Sequence, residues 1–348
     1  MSELKVAVIG CGSISCMHLD SAAALPQSGI VAVCDIKKDR AEAKASLYGC
    51  RAYCDYRDML LNEKLDAVHL CLPHYLHIPA ARYFINNGVN VISEKPMSIG
   101  YKEAEATVQS AESLNIKYSV VFQCRYNTPS VFVKQRIDNG RLGMVKCACV
   151  ILKWCRQDNY YAGSDWKGTW DKEGGGVVIN QAIHSLDLAN WFIGSDPICV
   201  QASLHNRNHK SIAVEDTAEG LIKYENGALL SFYTMNNYLI DEQIEIMLLC
   251  ENGNARLSYN EAEIKYTSGE TERSGNHPQM LAKYSSGKEY WGTGHAMQIN
   301  NFYNSILGRE RLEISGRDAL KIQRLICDIY KSGNFEGNQY ARCKMKLK

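Results

Sequence analysis

A lysine and a histidine mark the two places where this sequence could move a proton. Lys95 stands in Ser93-Glu94-Lys95-Pro96, directly after the apolar run Val89 to Ser93. Out of bulk water and beside another positive charge its ammonium form would be disfavoured, so it could accept or donate a proton near neutral pH. A solvated lysine after a strand is the plainer alternative. His184 lies in Gly174-Gly175-Gly176-Val177-Val178-Ile179-Asn180-Gln181-Ala182-Ile183-His184-Ser185-Leu186-Asp187, where Asn180, His184 and Asp187 recur at steps of four and three and share a helix face. A polar stripe on so apolar a helix suits a wet cleft, although a core histidine bonded to Asp187 has the same pattern. Histidine ordinarily titrates near neutrality, which makes His184 the first candidate for a general base. Lys95 would then hold a hydroxyl and stabilise alkoxide charge, and Asn180 would position the same oxygen or its neighbour.

A third group, Trp154-Cys155-Arg156, Tyr160-Tyr161, Trp166-Lys167-Gly168 and Trp170, interleaves aromatic faces with hydrogen-bonding side chains. A sugar ring, with apolar C–H faces and hydroxyl edges, suits such a surface, and ordinary packing is the alternative. The candidate substrate contacts are therefore Arg156, Trp154, Tyr160, Trp166, Asn180 and His184. Trp291 and His295 form a smaller cluster open to the same two readings.

These groups need a cofactor, and the N-terminus offers a place for one. Val6 to Ile9 is a short apolar run that stops at Gly10, as a strand buried on both faces does. Gly10, Gly12 and Ser15 then have the spacing G-x-G-x-x-G with a small residue in the third slot: a tight turn, close approach of backbone to a pyrophosphate, and helix-on-strand packing. The next apolar run, Ile30 to Cys34, ends in Asp35, where a carboxylate would meet the ribose hydroxyls of an adenine dinucleotide. A strand-turn-helix with no nucleotide is the alternative. Candidate cofactor contacts are Gly10, Gly12, Ser13, Ile14, Asp35, Pro73, His77, Glu94 and Lys95. Asp35 favours NAD by repelling a 2′-phosphate, while Lys37, Lys38 and Arg40 could attract one, so NADP stays open.

Strand and helix alternate up to about residue 123. Helices are expected over Asp39–Tyr48, Asp55–Asn62, from about Pro79 to Gly88, and after Ser98 as N-cap, with Ala104, Val108, Ala111 and Leu114 on one face; Asp66–Cys71, Val89–Ser93 and Lys117–Phe122 read as strands. From Cys124 onward the pattern changes to hairpins: Val145–Trp154, Cys199–His205, Thr217–Tyr224, Ala228–Asn236, Gln243–Cys250 and Ala255–Tyr259, with turn signals at Glu225-Asn226-Gly227 and Glu251-Asn252-Gly253. Helical spacing recurs at Val177–Phe192, Ala296–Leu307 and Arg317–Tyr330, and a closing helix can pack back across the boundary. The expected fold is α/β, a doubly wound parallel sheet over residues 1–123 followed by an α+β domain over 124–348 on a large, mainly antiparallel open sheet, with substrate binding and oligomerisation in the second part.

Composition limits the function classes. A chain of 348 residues exceeds one ordinary core, and 46% apolar with 22% charged residues is a globular composition. A net charge of +1 gives no support to a nucleic-acid or membrane role. The 14 cysteines are scattered, without a C-x-x-C pair, a signal peptide or a membrane-length apolar run, which points to a reducing cytoplasm and no metal site.

VIGCGSIS, the Glu94-Lys95-Pro96 triplet, FQCRYN after Lys117–Phe122 and EGGGVVINQAIHSLDLANWFIG together resemble the glucose-fructose oxidoreductase, inositol dehydrogenase and MocA family over nearly the whole chain. The resemblance implies an N-terminal Rossmann domain, a C-terminal open sheet, bound NAD or NADP, a carbohydrate or cyclitol substrate, and a homodimer or homotetramer formed through that sheet. It also implies catalytic positions at Lys95 and His184. Many members have aspartate where this chain has Asn180, which removes a proton exchanger but leaves a hydrogen-bonding contact. The expected function is hydride transfer between nicotinamide and a carbinol of a sugar, sugar derivative or cyclitol. An NAD-dependent glycosidase or epimerase working through a transient keto-sugar, a non-catalytic NAD-binding regulator, and a reductase of xenobiotic diols or tetrapyrroles remain as alternatives.

Overall fold

The computed structural model describes residues 4–275 and 294–335. They fall into two units, residues 4–126 with 294–320 and residues 127–275 with 321–335. In the first, β1 (Leu4–Ile9), β2 (Ser28–Cys34), β3 (Arg51–Tyr53), β4 (Ala67–Leu70), β5 (Asn90–Ser93) and β6 (Tyr118–Val120) form a parallel sheet in the order β3-β2-β1-β4-β5-β6. This is the doubly wound order, in which the chain reverses its direction of build-up between β1 and β4 and opens a crevice at the carboxyl edge. All of β1 except Lys5 is buried, as an apolar strand between two helical layers must be.

The helices are α1 (Ser15–Ala24), α2 (Lys38–Tyr48), α3 (Tyr56–Asn62), α4 (His77–Asn86) and α5 (Tyr101–Ser113). Asp55 caps α3 by accepting the Arg57 amide, and α2 ends on a left-handed Gly49. Two local expectations are corrected. Gly100, not Ser98, is the N-cap of α5; the Ser98 hydroxyl accepts the Gly100 amide just before the helix. Leu114 falls after the helix and is 50% exposed, whereas Ala104, Val108 and Ala111 are buried as the helical spacing requires.

The second unit contains α6 (Thr128–Asp138), β7 (Val145–Lys153), α7 (Asp158–Ala162), and a π-helical turn (Val178–Ala182) that runs into α8 (Ile183–Ile193). Then follow β8 (Pro197–His205), β9 (Thr217–Tyr224), β10 (Leu229–Met235), β11 (Glu245–Cys250), β12 (Gly253–Leu257), β13 (Glu261–Tyr266) and β14 (Thr271–Gly275). With β15 (Asn334–Phe335), the described strands form one sheet in the order β14-β13-β12-β11-β7-β10-β9-β8-β15, antiparallel except where β10 meets β7 and β15 meets β8. One face of β10 buries Leu230, Phe232 and Thr234 while the other exposes Leu229, Ser231 and Tyr233, the period-two alternation of a sheet covered on one side. β13 and β14 were not foreseen, although Ala262, Ile264 and Tyr266 alternate with charged neighbours in the same way.

Two helices close the chain. α9 (Gly294–Ile306) packs on α1, and its Ile299, Phe302 and Tyr303 are fully buried with Leu4, Val6, Ala22 and Ile92. Burying each such side chain contributes roughly 1.5–3 kcal/mol, enough to draw this segment into the first unit and so interrupt the stretch 124–348. α10 (Gly316–Ser332) follows, its residues divided between the units after Leu320. Among the described residues no helix is long and apolar enough to cross a membrane.

Candidate active site

The loops that leave the carboxyl ends of β1, β2, β4 and β5 bring most of the expected cofactor contacts to one edge of the sheet. Gly10 turns the chain at φ 91°, and a Cβ there would lie 2.2 Å from the Cys71 carbonyl oxygen, so the turn accepts glycine alone. A Cβ at Gly12 would meet nothing within 4 Å, which leaves open space on the side from which a pyrophosphate would approach. No side chain caps the first turn of α1 at Ile14, and Ser13 is exposed beside it. The Ser15 hydroxyl instead donates to the Gly12 carbonyl at 2.7 Å, closing the turn from inside. At the end of β2 the Asp35 carboxylate accepts the amides of Cys11 and Lys37, both at 2.8 Å, and each oxygen retains a lone pair for a ribose hydroxyl. Lys37, Lys38 and Arg40 are exposed, and Lys38 pairs with Glu42. These residues fit an adenine dinucleotide.

Pro73 opens the turn after β4. His77 is fully buried, with its ring nitrogens 2.7 Å from the Pro96 carbonyl oxygen and 2.8 Å from that of Leu72. It therefore ties the loop after β4 to the loop after β5. Burial lowers its pKa, and the two carbonyl acceptors oppose that effect.

Glu94 turns inward. Its carboxylate meets His18 Nε2 at 3.1 Å and His295 Nε2 at 3.4 Å, and its second oxygen accepts the Lys95 amide at 3.2 Å. Burial pushes this acid up, but the hydrogen bonds from His18 and His295 prevail and hold it well below the usual carboxylate range. His18 Nε2 donates to the ionised Glu94, His18 Nδ1 lies 2.9 Å from His69 Nδ1, and His69 Nε2 lies 2.7 Å from the Tyr303 hydroxyl, hydrogen bonds whose donors depend on the ring tautomers. Burial, helped by His18, keeps His69 well below its ordinary pKa, in keeping with a neutral ring. His18, Glu94 and His295 also have ligand atoms within 4.8 Å of one another. The Lys95 backbone thus sits on a buried hydrogen-bond network. Trp291, paired with His295 in the sequence, lies outside the described residues.

In the second unit the glycine run does a different job. A Cβ at Gly176 would lie 1.8 Å from the Glu215 carbonyl oxygen, so glycine lets that backbone reach the start of the π-helical turn. The Glu215 side chain accepts the Gly176 and Val178 amides at 2.9 and 3.1 Å and the Tyr330 hydroxyl at 2.8 Å. It caps the helix from a fully buried position, and burial pushes its pKa up to about 7 against the pull of those donors.

That turn carries Asn180, whose side-chain amide donates to Glu173 at 2.5 Å and to the Tyr160 hydroxyl at 3.2 Å. The Lys167 ammonium lies 3.5 Å above the Tyr160 ring and 5.8 Å from that of Trp166. Arg156 stacks 4.9 Å from Trp154 and 5.7 Å from Tyr160 and pairs with Asp241 at 2.9 Å. Thus Trp154, Arg156, Tyr160, Trp166 and Asn180 meet as one cluster. Trp154 itself is buried, donating to the Glu242 carbonyl, and serves as the base of the group. His184 follows Asn180 by four residues on α8 and is half-buried, while Asp187 is buried.

Sequence reasoning assigned no role to Glu173, Glu215 or the His18–His69–Tyr303 chain. Glu173 reaches Asn180 across the glycine run, where the chain is not helical, so the spacing of seven carried no signal. Tyr303 and His69 are separated by 234 residues, which no local rule can join.

Residues 4–122 match the oxidoreductase family model described as an NAD-binding Rossmann fold, and residues 131–256 match the GFO/IDH/MocA C-terminal domain. The chain is 25% identical over 351 residues to the D-glucoside 3-dehydrogenase of Escherichia coli (strain K12), covering 95% of each protein. It is 25% identical over 249 residues to the inositol 2-dehydrogenase of Rhizobium meliloti (strain 1021), covering 70% of this chain and 72% of that one. The crystal structure of the WlbA dehydrogenase from Bordetella pertussis, in complex with NADH and UDP-GlcNAcA, superposes with a TM-score of 0.81 at 27% identity, covering 95% of this chain and 96% of that chain. With the glycine turn, Asp35 and a nine-stranded open sheet in place, the chain belongs to the GFO/IDH/MocA family of NAD-binding oxidoreductases.

Proposed function

We propose that this chain transfers a hydride between nicotinamide and a carbinol of a pyranoside or related carbohydrate, a reading carried by the cluster of Asn180, Tyr160, Trp166, Lys167 and Arg156. Its rings offer faces to sugar C–H groups, and its amide, ammonium and guanidinium offer partners to hydroxyls. The D-glucoside and inositol substrates in the relatives' names, and the nucleotide sugar bound to WlbA, belong to the same chemical class. When bound, NAD supplies the hydride acceptor. His184 takes the carbinol proton, Lys95 holds the oxygen and offsets its developing negative charge, and Asn180 orients the substrate. Glu94 and His77 act behind Lys95, holding the loop that carries it.

The outer face of the second unit's sheet belongs to the same proposal. Leu221, Leu229, Tyr233 and Leu249 are between 36% and 50% exposed there, an apolar surface suited to a second copy in a homodimer or homotetramer. A cytoplasmic location accords with the free thiols of the described cysteines.

Incubation of the pure protein with NAD and a panel of glycosides, monosaccharides, inositols and nucleotide sugars tests the function. Reduced cofactor and a keto product are expected in equal amounts from at least one carbohydrate. Sugar conversion without net NADH would replace the reading by a transient-oxidation enzyme, and no conversion anywhere would remove it.

A further inference from the structure

Asn180 occupies a position where an aspartate would meet a second acid. Glu173 is 1% exposed, and its two carboxylate oxygens accept from different sides, one from the Gly168 amide and the other from the Asn180 side-chain amide at 2.5 Å. The same Asn180 nitrogen donates to the Tyr160 hydroxyl at 3.2 Å. A carboxylate accepts only, so Glu173 decides which end of the Asn180 carboxamide points at it. Both amide protons are then turned toward Glu173 and Tyr160, and the carbonyl oxygen is the end turned to any further partner.

We propose that Glu173 is a positioning residue that makes Asn180 a pure hydrogen-bond acceptor for a substrate hydroxyl, and that the buried Glu173 charge is the reason this position carries asparagine and not aspartate. The inference deepens the proposed function and rests on it, because the hydroxyl is that of the proposed carbohydrate. With Glu173 as its carboxylate, the Glu173–Asn180 pair holds one negative charge, placed behind the amide. The substitution Asn180→Asp would place a second carboxylate within hydrogen-bond distance of the first, and two such groups cannot both ionise without large mutual repulsion. The pair would share one proton instead. While that proton is present, the substituted carboxyl donates to Glu173 much as the amide does; once it is lost, the arrangement breaks. A glutamine in place of Glu173 can keep its carbonyl oxygen on the Gly168 amide and offer its own amide to the neighbouring side chain. The double variant Asn180→Asp/Glu173→Gln therefore exchanges donor and acceptor with the single charge conserved.

The experiment compares wild type, Asn180→Asp and Asn180→Asp/Glu173→Gln from pH 5 to 9, reading turnover of a carbohydrate the wild type oxidises and the thermal midpoint of each protein. Asn180→Asp should gain an ionisation roughly 3 units above the ordinary aspartate value, near pH 7, with activity falling about tenfold per pH unit beyond it. Its folded-state pKa is raised, so the stability it adds is present at low pH and is lost as pH rises through that value; the melting temperature should fall over the same interval by more than that of wild type, whose own pH dependence includes Glu215. The double variant should match wild type in both respects. A melting profile in Asn180→Asp that runs parallel to wild type, or the same added alkaline loss in the double variant, overturns the proposal. The melting arm needs no substrate: the expected differences from wild type in a protein that oxidises no carbohydrate support the charge pair and reject the function, whereas parallel profiles in an active enzyme reject the pair and leave the function standing.

Discussion

The Asp35 carboxylate accepts the Cys11 amide at 2.8 Å, joining the end of β2 to the glycine turn after β1. One side chain thereby shapes the turn and stands where ribose hydroxyls would lie. Asp35→Ser should weaken NAD binding by about tenfold or more while weakening NADP binding less, because the variant loses an acceptor and a repulsive charge together. Cofactor titrations by fluorescence would measure both constants. Tighter binding of NADP than NAD by the wild type would show that Lys37, Lys38 or Arg40 sets the preference.

Glu94 depends on its histidines. With its pKa held low in the folded state, its contribution to stability is present above the unfolded-state pKa and is lost as pH falls. His18→Leu removes one donor from a buried charge and should cost about 1.5–3 kcal/mol at pH 7, less at pH 4. Chemical denaturation at the two pH values tests this, and an equal cost at both would mean that Glu94 is not ionised in the wild type.

Glu215 has the opposite sign. Its pKa of about 7 lies above that of an unfolded glutamate, so its stabilising contribution is complete below that ordinary value and drains away as pH rises toward 7 and beyond. Glu215→Gln should therefore be less pH-sensitive than wild type between pH 5 and 8, the difference amounting to roughly 3 kcal/mol for a shift of this size. Parallel stability curves for the two proteins would contradict the assignment.

On the sheet, Leu229 and Leu249 flank Cys147 in register on neighbouring strands. Leu229→Glu with Leu249→Glu should convert a dimer or tetramer to monomer in analytical ultracentrifugation without unfolding it. An unchanged sedimentation coefficient for an oligomeric wild type would place its interface elsewhere.

What was legible in the sequence was local. Gly10, Gly12 and Asp35 announce themselves because a turn, a close approach and a terminal carboxylate each need particular residues at fixed spacing. Strands β7 to β12 of the second unit follow from period-two alternation and from Asn-Gly turns. Asn180 and His184 could be placed on one helix, but the π-helical turn beneath Asn180 could not, since it depends on Glu215 and Tyr330 reaching the glycine run from distant segments. The same limit left open which closing helix returns and that it packs on α1, and it hid the inward turn of Glu94, whose partner His295 comes far later in the chain. Contacts of that separation are decided by packing, for which the sequence carries no spacing rule.

Action of Lys95 and His184 on the carbinol of a carbohydrate is tested most directly by single-turnover hydride transfer from an oxidisable sugar to NAD. The transfer is followed in Lys95→Met and His184→Ala, with NAD binding measured on the same samples. Each variant should bind NAD within about threefold of wild type and transfer hydride at least ~10²-fold more slowly, the lower range for removal of a positioned acid or base. Transfer at the wild-type rate in both variants would contradict the account.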